Sequence, residues 1–335
     1  MIECIFTIDY EIYGNGEGSL HDLVYAPTQK LISTFRERNA RFVAFVEVAE
    51  LEMIERHGTD PAIRDVRAQI AEMRQSGFEI ALHLHPQWYN ASFLGGQWRL
   101  DYREYNLCTL SPERIDEIVS RSISHLRDLA ADSTFQPCSF RAGNWLFQPS
   151  EQATRALAAH GIRLDSSVFK GGLQHANHLD YRPALKNGYY WKFRDDVNVS
   201  VPDGVLVEVP IYTRMVPSWT MATPKRLALQ RKTRAAISAT TANPGSSRLN
   251  TLRDRFRLQY PLKFDFCRMT LDELTATVDC VLAVDKLDPA PFRPLVAIGH
   301  SKDLLDLHTI DAFLAYLECN RIPVSTFDQV VTKCM

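Results

Sequence analysis

The sequence predicts an α/β protein in which parallel strands alternate with helices around a closed barrel. Short β-rich runs alternate with longer stretches of helical periodicity along the chain. About eight such runs occur, as expected of a barrel of β–α units. At about 100–200 residues per domain, a length of 335 residues allows one barrel or two domains. Because no Pro-, Gly- or Ser-rich linker divides the chain, we expect one domain over residues 1–335.

The strand candidates are short runs rich in apolar and β-branched residues. In chain order they are Ile2–Ile8, Phe42–Glu47, Phe78–His85, Ser139–Ala142, Arg163–Ser167, Val205–Val209, Leu295–Gly299 and Ile322–Val324. Several of these runs end in polar or charged residues, and the carboxyl ends of parallel barrel strands meet at one rim. The polar residues at those ends are therefore the first candidates for a functional site.

The helices between these runs carry recognisable start and stop signals. Asp60-Pro61 offers an N-cap residue followed by proline at the first helical position. Gly161 is placed to end a helix over Ser150–His160, because glycine readily adopts the left-handed conformation found there. Two capping boxes predict further helix starts, Thr270 with Glu273 and Thr326 with Gln329.

Charge is close to balanced overall but uneven along the chain. The net charge is −2, with 38 Lys and Arg against 40 Asp and Glu, which gives no field for recruiting nucleic acid. Residues 213–263 instead contain eleven Lys or Arg and a single acid, Asp254. We interpret this segment as a basic helical insertion or lid that contains a loop at Asn243–Ser247. Its charge would suit a phosphate-bearing or lipid-linked sugar or a membrane surface, and a solvated face with counterions is the alternative.

Cysteine usage and the lack of targeting signals predict a cytoplasmic protein. Seven cysteines lie far apart with no Cys-x-x-Cys pair, so neither a disulfide framework nor a thiolate zinc site is expected. The N-terminus has no basic region ahead of its first acid, Glu3, and no run of about 18 apolar residues could span a bilayer.

Two carboxylates and two imidazoles occur at strand ends. Because side chains alternate along a strand, Asp9 and Glu11 share one face, and so do His83 and His85. Two acids in one place are costly unless a cation offsets them. Solvated acids and hydrogen-bonded core histidines are the structural alternatives. The presence of both pairs at one rim favours a divalent ion bound there, with zinc the expected metal.

Two further strand ends carry Arg141 and His300. An arginine beside a catalytic acid would keep that acid ionised and oriented, whereas the alternative role is to cap a helix. His300 follows an entirely apolar strand, which delivers it to the barrel mouth as a candidate general acid, with a structural histidine as the alternative.

These residues occur in the order of the motifs of a known family. The matching segments, spread from Thr7 to about Asp303, are Asp9-Tyr10-Glu11, His83-x-His85-Pro86, Arg141-Ala142-Gly143-Asn144-Trp145, Asp165-Ser166-Ser167 and His300. The sequence resembles the polysaccharide deacetylase family of carbohydrate esterases, whose fold is a distorted (β/α) barrel, usually of seven strands. The resemblance implies a hydrolase that removes N- or O-acetyl groups from amino sugars with a metal ion.

The resemblance also implies roles for individual residues. Asp9 is similar to the catalytic base of the family, and Arg141 resembles the arginine that pairs with that base. Glu11 and His83 look like metal ligands, and His300 resembles the general acid.

Two positions depart from the usual motifs. The first motif usually has adjacent aspartates, whereas Asp9 and Glu11 are separated by one residue, as in some branches of the family. The second motif usually has another histidine four residues after the first, where this sequence has Gln87. His85 would therefore have to serve as the remaining ligand.

The same segments supply candidates for substrate contacts. Trp88, Trp145 and Tyr212 could form walls on which a sugar stacks, although such aromatic residues more often belong to the core. The matching motifs add Asn144, and Asp165 as a residue behind the substrate site.

The sequence therefore predicts a metal-dependent deacetylase of an acetylated amino sugar or glycan precursor. Two other functions stay open. One is an amidohydrolase that cleaves a non-peptide C–N bond of a small metabolite, and the other is an inactive barrel that only binds carbohydrate. A role in binding nucleic acid lacks any recognition motif to accompany the basic segment.

Overall fold

The computed structural model describes residues 1–222 and 258–335. Its strands are Ile2–Tyr10 (β1), Val43–Glu47 (β2), Glu79–Leu84 (β3), Ser92–Leu94 (β4), Gln97–Arg99 (β5), Ser139–Ala142 (β6), Leu164–Asp165 (β7), Leu173–Gln174 (β8), Leu179–Asp180 (β9), Trp191–Phe193 (β10), Leu206–Glu208 (β11), Thr213–Pro217 (β12), Gln259–Lys263 (β13) and Arg293–His300 (β14). Its α-helices are Ala26–Glu37 (α1), Val48–His57 (α2), Ile63–Gln75 (α3), Pro112–Leu129 (α4), Glu151–Ala159 (α5), Leu271–Leu287 (α6), Leu307–Cys319 (α7) and Phe327–Cys334 (α8).

The main sheet has eight strands in the order β10-β11-β7-β6-β3-β2-β1-β14. Seven of them run parallel, and β10 pairs antiparallel with β11 at one edge. The two sides of the curled sheet are joined through Ile211, whose N–H donates to the Val168 carbonyl, and through Tyr212, whose N–H donates to the Val296 carbonyl. The predicted α/β fold, a distorted barrel of seven parallel strands, is confirmed.

The parallel strands are buried because helices cover the outside of the barrel and side chains fill its inside. Every residue of β1, β2 and β3 is buried, which is the pattern of strands covered on both faces. Strand β1 pairs with β14 along eight residues, and Asp9 lies opposite His300 in that register. Residues near the two ends of the chain thereby meet at the carboxyl rim of the barrel.

Seven of the eight predicted strands form, and they are the seven parallel strands of the barrel. The eighth prediction, Ile322–Val324, is wrong, because this segment makes only an isolated bridge between Val324 and Cys4. Pro323 has no N–H to donate to a ladder, and Thr326 begins the next helix directly afterwards.

The helix signals are mostly confirmed. Both capping boxes form at the starts of α6 and α8. Gly161 has a φ of +84° just beyond α5, as a helix-ending glycine should. Helix α3 starts at Ile63, two residues later than Pro61 suggested. The Asp60 carboxylate accepts the Ala62 N–H, as expected of an N-cap residue, and also the Leu20 N–H.

Most of the predicted basic helical insertion, residues 223–257, lies outside the described residues. The described ends of the 213–263 segment are two strands, the first of which is followed by a short 3-10 helix over Ser218–Ala222. Strands β12 and β13 pair antiparallel, with Thr213 opposite Lys263. The chain leaves and re-enters the barrel along this two-stranded ribbon.

All seven cysteines are free in this structure. No helix within residues 1–222 and 258–335 combines the length and apolar character needed to cross a membrane.

Gly299 tests how tightly the end of β14 is packed. A Cβ at this buried position would lie 2.5 Å from the Phe266 ring and 2.7 Å from Cys267 Sγ. We expect Gly299→Ala to lower the free energy of unfolding by about 1–3 kcal/mol in urea denaturation, because the core must be overpacked. Gly14→Ala is the control, since a Cβ there meets nothing within 4 Å. Its effect should stay within about 0.5 kcal/mol, and equal losses for the two variants would contradict the described packing.

Candidate active site

A buried ion pair lies at the centre of the barrel mouth. Asp9 near the end of β1 and Arg141 on β6 are 3% and 0% exposed. Nη1 of Arg141 is 2.6 Å from Oδ1 of Asp9, Nη2 donates to Thr7 Oγ1 at 2.9 Å, and Nε donates to the Ser166 carbonyl at 2.9 Å. A charge-assisted bond this short, with the remaining donors occupied, fixes the orientation of the carboxylate.

The ion pair also fixes the charge of Asp9. Burial alone would raise the pKa of this carboxyl, but Arg141, followed by His83 and His300, more than offsets that effect and lowers the pKa below its ordinary value. Asp9 is therefore an anion at neutral pH, with Oδ2 left unclaimed by the arginine.

His300 at the end of β14 faces that second oxygen. Its Nε2 is 3.4 Å from Asp9 Oδ2, and its Nδ1 is 3.6 Å from the Asp303 carboxylate. Burial, only partly opposed by Asp9 and Asp303, lowers the pKa of His300 to about 4. The imidazole is thus neutral at neutral pH, while Asp303 is held by Arg268 at 2.6 Å.

Three potential metal ligands converge beside the ion pair. Glu11 follows β1, His83 lies on β3, and His85 follows β3. Oε2 of Glu11 is 3.4 Å from His83 Nε2 and 3.0 Å from His85 Nε2. All three ligand atoms lie within 4.8 Å of one another and all three residues are buried. This donor set and spacing suit a divalent ion with N and O ligands.

The hydrogen bonds of His83 fit such an ion. Its Nδ1 is 2.8 Å from the Arg141 carbonyl, which can only accept, so Nδ1 carries the proton. Burial lowers the pKa of His83, but Asp9 and Glu11 together raise it above its ordinary value. In the neutral form that would bind a metal, the lone pair is on Nε2 and points toward the Glu11 carboxylate. Two lone-pair-bearing atoms that face each other in a buried site need a positive charge between them.

His85 fits the same ion through its neighbours. Gln87 Nε2 and Asn144 Nδ2 each lie 3.2 Å from His85 Nδ1. The buried Oε1 of Gln87 has no hydrogen-bond partner. An amide turned about its axis would present this oxygen to Nδ1–H and leave Nε2 of His85 free as a ligand. Gln87, which replaces the histidine of the usual motif, thereby supports the substitute ligand.

Three charged residues beside the site were missed by the sequence analysis. Lys302 donates to Glu11 Oε1 at 2.8 Å and to the Ile12 carbonyl at 2.9 Å. Glu47 accepts the His85 N–H at 3.0 Å, and Glu50 accepts the Ile12 N–H at 2.9 Å. Burial raises the pKa of both Glu47 and Glu50. Glu47 is the last residue of β2 and lies at the same rim. An acid at the carboxyl end of a predicted strand was the signal in the sequence that could have identified it.

Trp145 forms a wall of the mouth. It is partly exposed and meets the His300 ring edge-on, with the ring centroids 6.4 Å apart. Its carbonyl accepts the Tyr181 hydroxyl at 2.6 Å, which anchors the turn that presents it. Asn144 precedes it and contacts His85, so it supports a candidate ligand.

The other residues proposed for substrate contact lie elsewhere. Trp88 is fully buried and packs against Trp98, so the prediction that it forms a sugar-stacking wall is corrected. Asp165 is fully buried, and its carboxylate accepts the Ser167 hydroxyl at 2.6 Å behind the Arg141 site. Tyr212 stacks with Tyr189 in a separate cavity of about 160 Å³, because its N–H binds β14 well before the rim.

A polar groove begins directly beside Glu11. It has a volume of about 400 Å³ and is lined by Ile12, by residues 15–18 of the glycine-rich loop, and by Phe93 and residues 96–98 of the β4–β5 hairpin. Ile54, Thr59 and Asp60 also line it. The groove is large enough for a small polar group.

Comparisons with known proteins agree on the architecture. No protein-family model matches the sequence, and no curated protein matches it either. Among solved structures, a Mycobacterium smegmatis protein provisionally described as a polysaccharide deacetylase matches with a TM-score of 0.53 and 15% identity, over 99% of this chain and 90% of the other. A Pseudomonas aeruginosa protein with a similarly provisional description matches with a TM-score of 0.50 and 12% identity, over 98% and 89%.

An allantoinase structure is also similar, with a TM-score of 0.48 and 13% identity, over 98% of this chain and 88% of the other. The fold of this chain is that of the polysaccharide deacetylases, as the sequence resemblance predicted. At these identities the similarity shows the fold, and the chemistry rests on the site itself.

The Arg141–Asp9 pair should be essential for stability. We expect Arg141→Met to lower the free energy of unfolding by about 3–5 kcal/mol at pH 7, because it leaves a buried carboxylate without its partner. The control is Arg182→Met, which removes an equally short but exposed pair with Asp180, 2.6 Å apart. The control should lose less than about 1 kcal/mol. Urea denaturation measures both, and a loss at Arg141 no larger than the control would contradict the described pairing.

Proposed function

We propose that the protein is a metal-dependent deacetylase that hydrolyses an N-acetyl or O-acetyl group on an amino sugar or glycan precursor. One observation carries the proposal. The barrel mouth brings together the oriented carboxylate of Asp9, the neutral His300 and the buried Glu-His-His cluster. Oδ2 of Asp9 is 3.4 Å from His300 Nε2, and Oε2 of Glu11 is 3.0 Å from His85 Nε2. A general base, a proton donor and a metal site together can carry out metal-assisted hydrolysis of an acyl bond.

The proposed ligands of the metal are Glu11, His83 and His85, and zinc is the metal expected for this donor set. When bound, the ion would supply Lewis acidity toward the acyl carbonyl and the attacking water. Lys302 occupies the other oxygen of Glu11, so the carboxylate would offer only Oε2.

Asp9 is the proposed general base. Asp9 is ionised, and its Oδ1 is bonded to Arg141, so Oδ2 is the oxygen available to accept a proton. Oδ2 takes this proton from water while the oxygen of that water forms a bond with the acyl carbon. His300 is neutral and lies 3.4 Å from that oxygen, so it can receive the proton from Asp9. Cleavage of the bond to the sugar then needs a proton on the departing amine or alcohol, and the protonated His300 gives it up. Acetate leaves with the oxygen that came from water.

The remaining features of the proposal concern the substrate and the rest of the chain. Trp145, one ring face of which is covered by Lys263 Nζ at 3.3 Å, is proposed to contact the sugar, and the groove at Ile12 would take a neighbouring part of the glycan. The charge of the basic segment 213–263 is proposed to favour a phosphate-bearing or lipid-linked sugar or a contact with a membrane surface. We retain a single domain over residues 1–335 and a cytoplasmic location as proposals.

Acetate release tests the activity. Purified protein with zinc is assayed on a panel of acetylated amino sugars and on small N-acyl metabolites. Asp9→Asn should lose about 10²–10⁴-fold in kcat/KM, because an amide cannot accept the proton. Its thermal unfolding should remain cooperative. Asp22→Asn, at an exposed surface carboxylate, is the control and should keep wild-type activity.

The panel also separates the competing functions. Turnover of small N-acyl metabolites alone would reassign the protein as an amidohydrolase. Sugar binding without any turnover would identify an inactive carbohydrate-binding barrel. Full activity in Asp9→Asn would contradict the role given to this residue.

Metal binding tests the ligand set without reference to activity. Chelator-treated protein titrated with zinc in a calorimeter should bind one ion per chain. His83→Ala and Glu11→Gln should weaken that binding by more than about 100-fold, because even residues behind the ligands cost about 10–100-fold. His160→Ala, at a histidine paired with Asp116 outside the site, is the control. Equal affinity in wild type and His83→Ala would show that zinc binds elsewhere.

A further inference from the structure

Lys263 is a cation at the mouth that the proposed mechanism does not use. It is the last residue of β13, and the next residues join β14 through the bridge between Asp265 and Ile298. Its side chain extends over Trp145, with Nζ 3.3 Å from the centre of the indole ring, and it also lies 4.9 Å from the centre of the Phe169 ring. Because Trp145 contacts His300, Lys263 lies in the wall of the active site.

The ammonium group of Lys263 meets ring faces and no oxygen. Among residues 1–222 and 258–335 it has no hydrogen bond or ion pair with a carboxylate or carbonyl. Lys170 provides a contrast within the same chain. Its Nζ lies 5.5 Å from the centre of the Trp191 ring and also donates to the carbonyls of Asn187 and Gly188. The ammonium group of Lys170 thus has hydrogen-bond acceptors within the fold, whereas the N–H donors of Lys263 are available to a ligand.

The acids around Lys263 are engaged with other partners. Asp265 exerts the strongest opposite field on it, but Oδ1 of Asp265 accepts the N–H groups of Cys267 and Arg268. Asp9 is bonded to Arg141. Burial outweighs these acids and lowers the pKa of Lys263 to about 7, which is the response of an ammonium group without a close counter-ion.

We propose that Lys263, on the face of Trp145, binds an anionic substituent of the substrate, a carboxylate or a phosphate, and so selects amino sugars that carry one. The inference rests on the proposed function for the identity of the sugar, and on Lys263 itself for the anion. A partly desolvated ammonium gains most from an anion, because such a partner supplies both charge and acceptors. Lys263 is therefore a specificity residue that touches substrate away from the acetyl group.

The binding test uses the deacetylated sugars, which cannot turn over. Calorimetry with the zinc-loaded protein compares glucosamine with glucosamine 1-phosphate and with muramic acid, which carries a carboxylate. Wild type should bind at least one anionic sugar about 10–100-fold more tightly than glucosamine, as expected of a hydrogen bond to a charged group. Lys263→Met should abolish the preference. The anionic sugar that wild type binds more tightly, glucosamine 1-phosphate or muramic acid, identifies phosphate or carboxylate as the group recognised.

Lys170→Met is the matched control. It removes the other lysine that lies over an indole ring, but from the separate cavity, and should leave the preference for the anionic sugar unchanged. Thermal unfolding of both variants confirms that each retains its fold. In the acetate assay, Lys263→Met should raise KM for the matching acetylated anionic sugar by a larger factor than it raises KM for N-acetylglucosamine.

The outcomes separate the two proposals. A preference that depends on Lys263 without acetate release from any sugar would support the anion site and overturn the deacetylase proposal. Acetate release with no preference for anionic sugars, or with a preference that survives in Lys263→Met, would overturn the anion site alone. Absence of binding by every sugar tested would overturn it as well.

Discussion

The ion pair between Asp9 and Arg141 is the interaction on which the rest of the site depends. Strands β1 and β6 are separated in the sheet by β2 and β3, so across a flat sheet they would stand about 14 Å apart. The two side chains nevertheless meet at 2.6 Å, with Arg141 lying over the Phe45 ring of the strand next to β1. They can do so only because the sheet curls. The curling that closes the barrel is therefore also what neutralises the two buried charges, so neither can change without the other.

Arg141 transmits this constraint to both halves of the proposed chemistry. Its guanidinium claims one oxygen of Asp9 and leaves the other to face His300. Its backbone carbonyl accepts the Nδ1 proton of His83, which directs Nε2 toward Glu11. One residue thus orients the base through its side chain and a candidate ligand through its main chain. The position of Arg141 on a short, fully buried strand explains how it can do both.

The sequence predicts those parts of this arrangement that follow from the alternation of side chains along strands. Asp9, Glu11, His83 and His85 could be placed at one rim because each pair shares a strand face and parallel strands end together. Trp88 could not be placed, because only the β4–β5 hairpin, which packs Trp98 onto it, decides that this indole is buried.

The sequence analysis did not place Lys302 and Lys263 at the site, for a similar reason. Their roles depend on partners far away in the chain, Glu11 for one and Trp145 for the other. No local period encodes such contacts. The basic segment 213–263 attracted attention through its composition, yet the described residue of that segment that reaches the site, Lys263, lies at its very end.

The turn after β6 is a strained segment of backbone that positions residues of the site. Asn144 and Trp145 both have left-handed backbones, with φ of 54° and 60°, at a cost of about 1–2 kcal/mol each for residues that carry a Cβ. Gly143 before them packs so closely that a Cβ would lie 2.6 Å from the Leu84 carbonyl oxygen. Tyr181 holds the turn through the Trp145 carbonyl. An unstrained turn could connect β6 to α5 as well, but it would not place an amide on His85 and an indole between His300 and Lys263. The strain is therefore concentrated where the proposed ligands and the substrate wall must be positioned together.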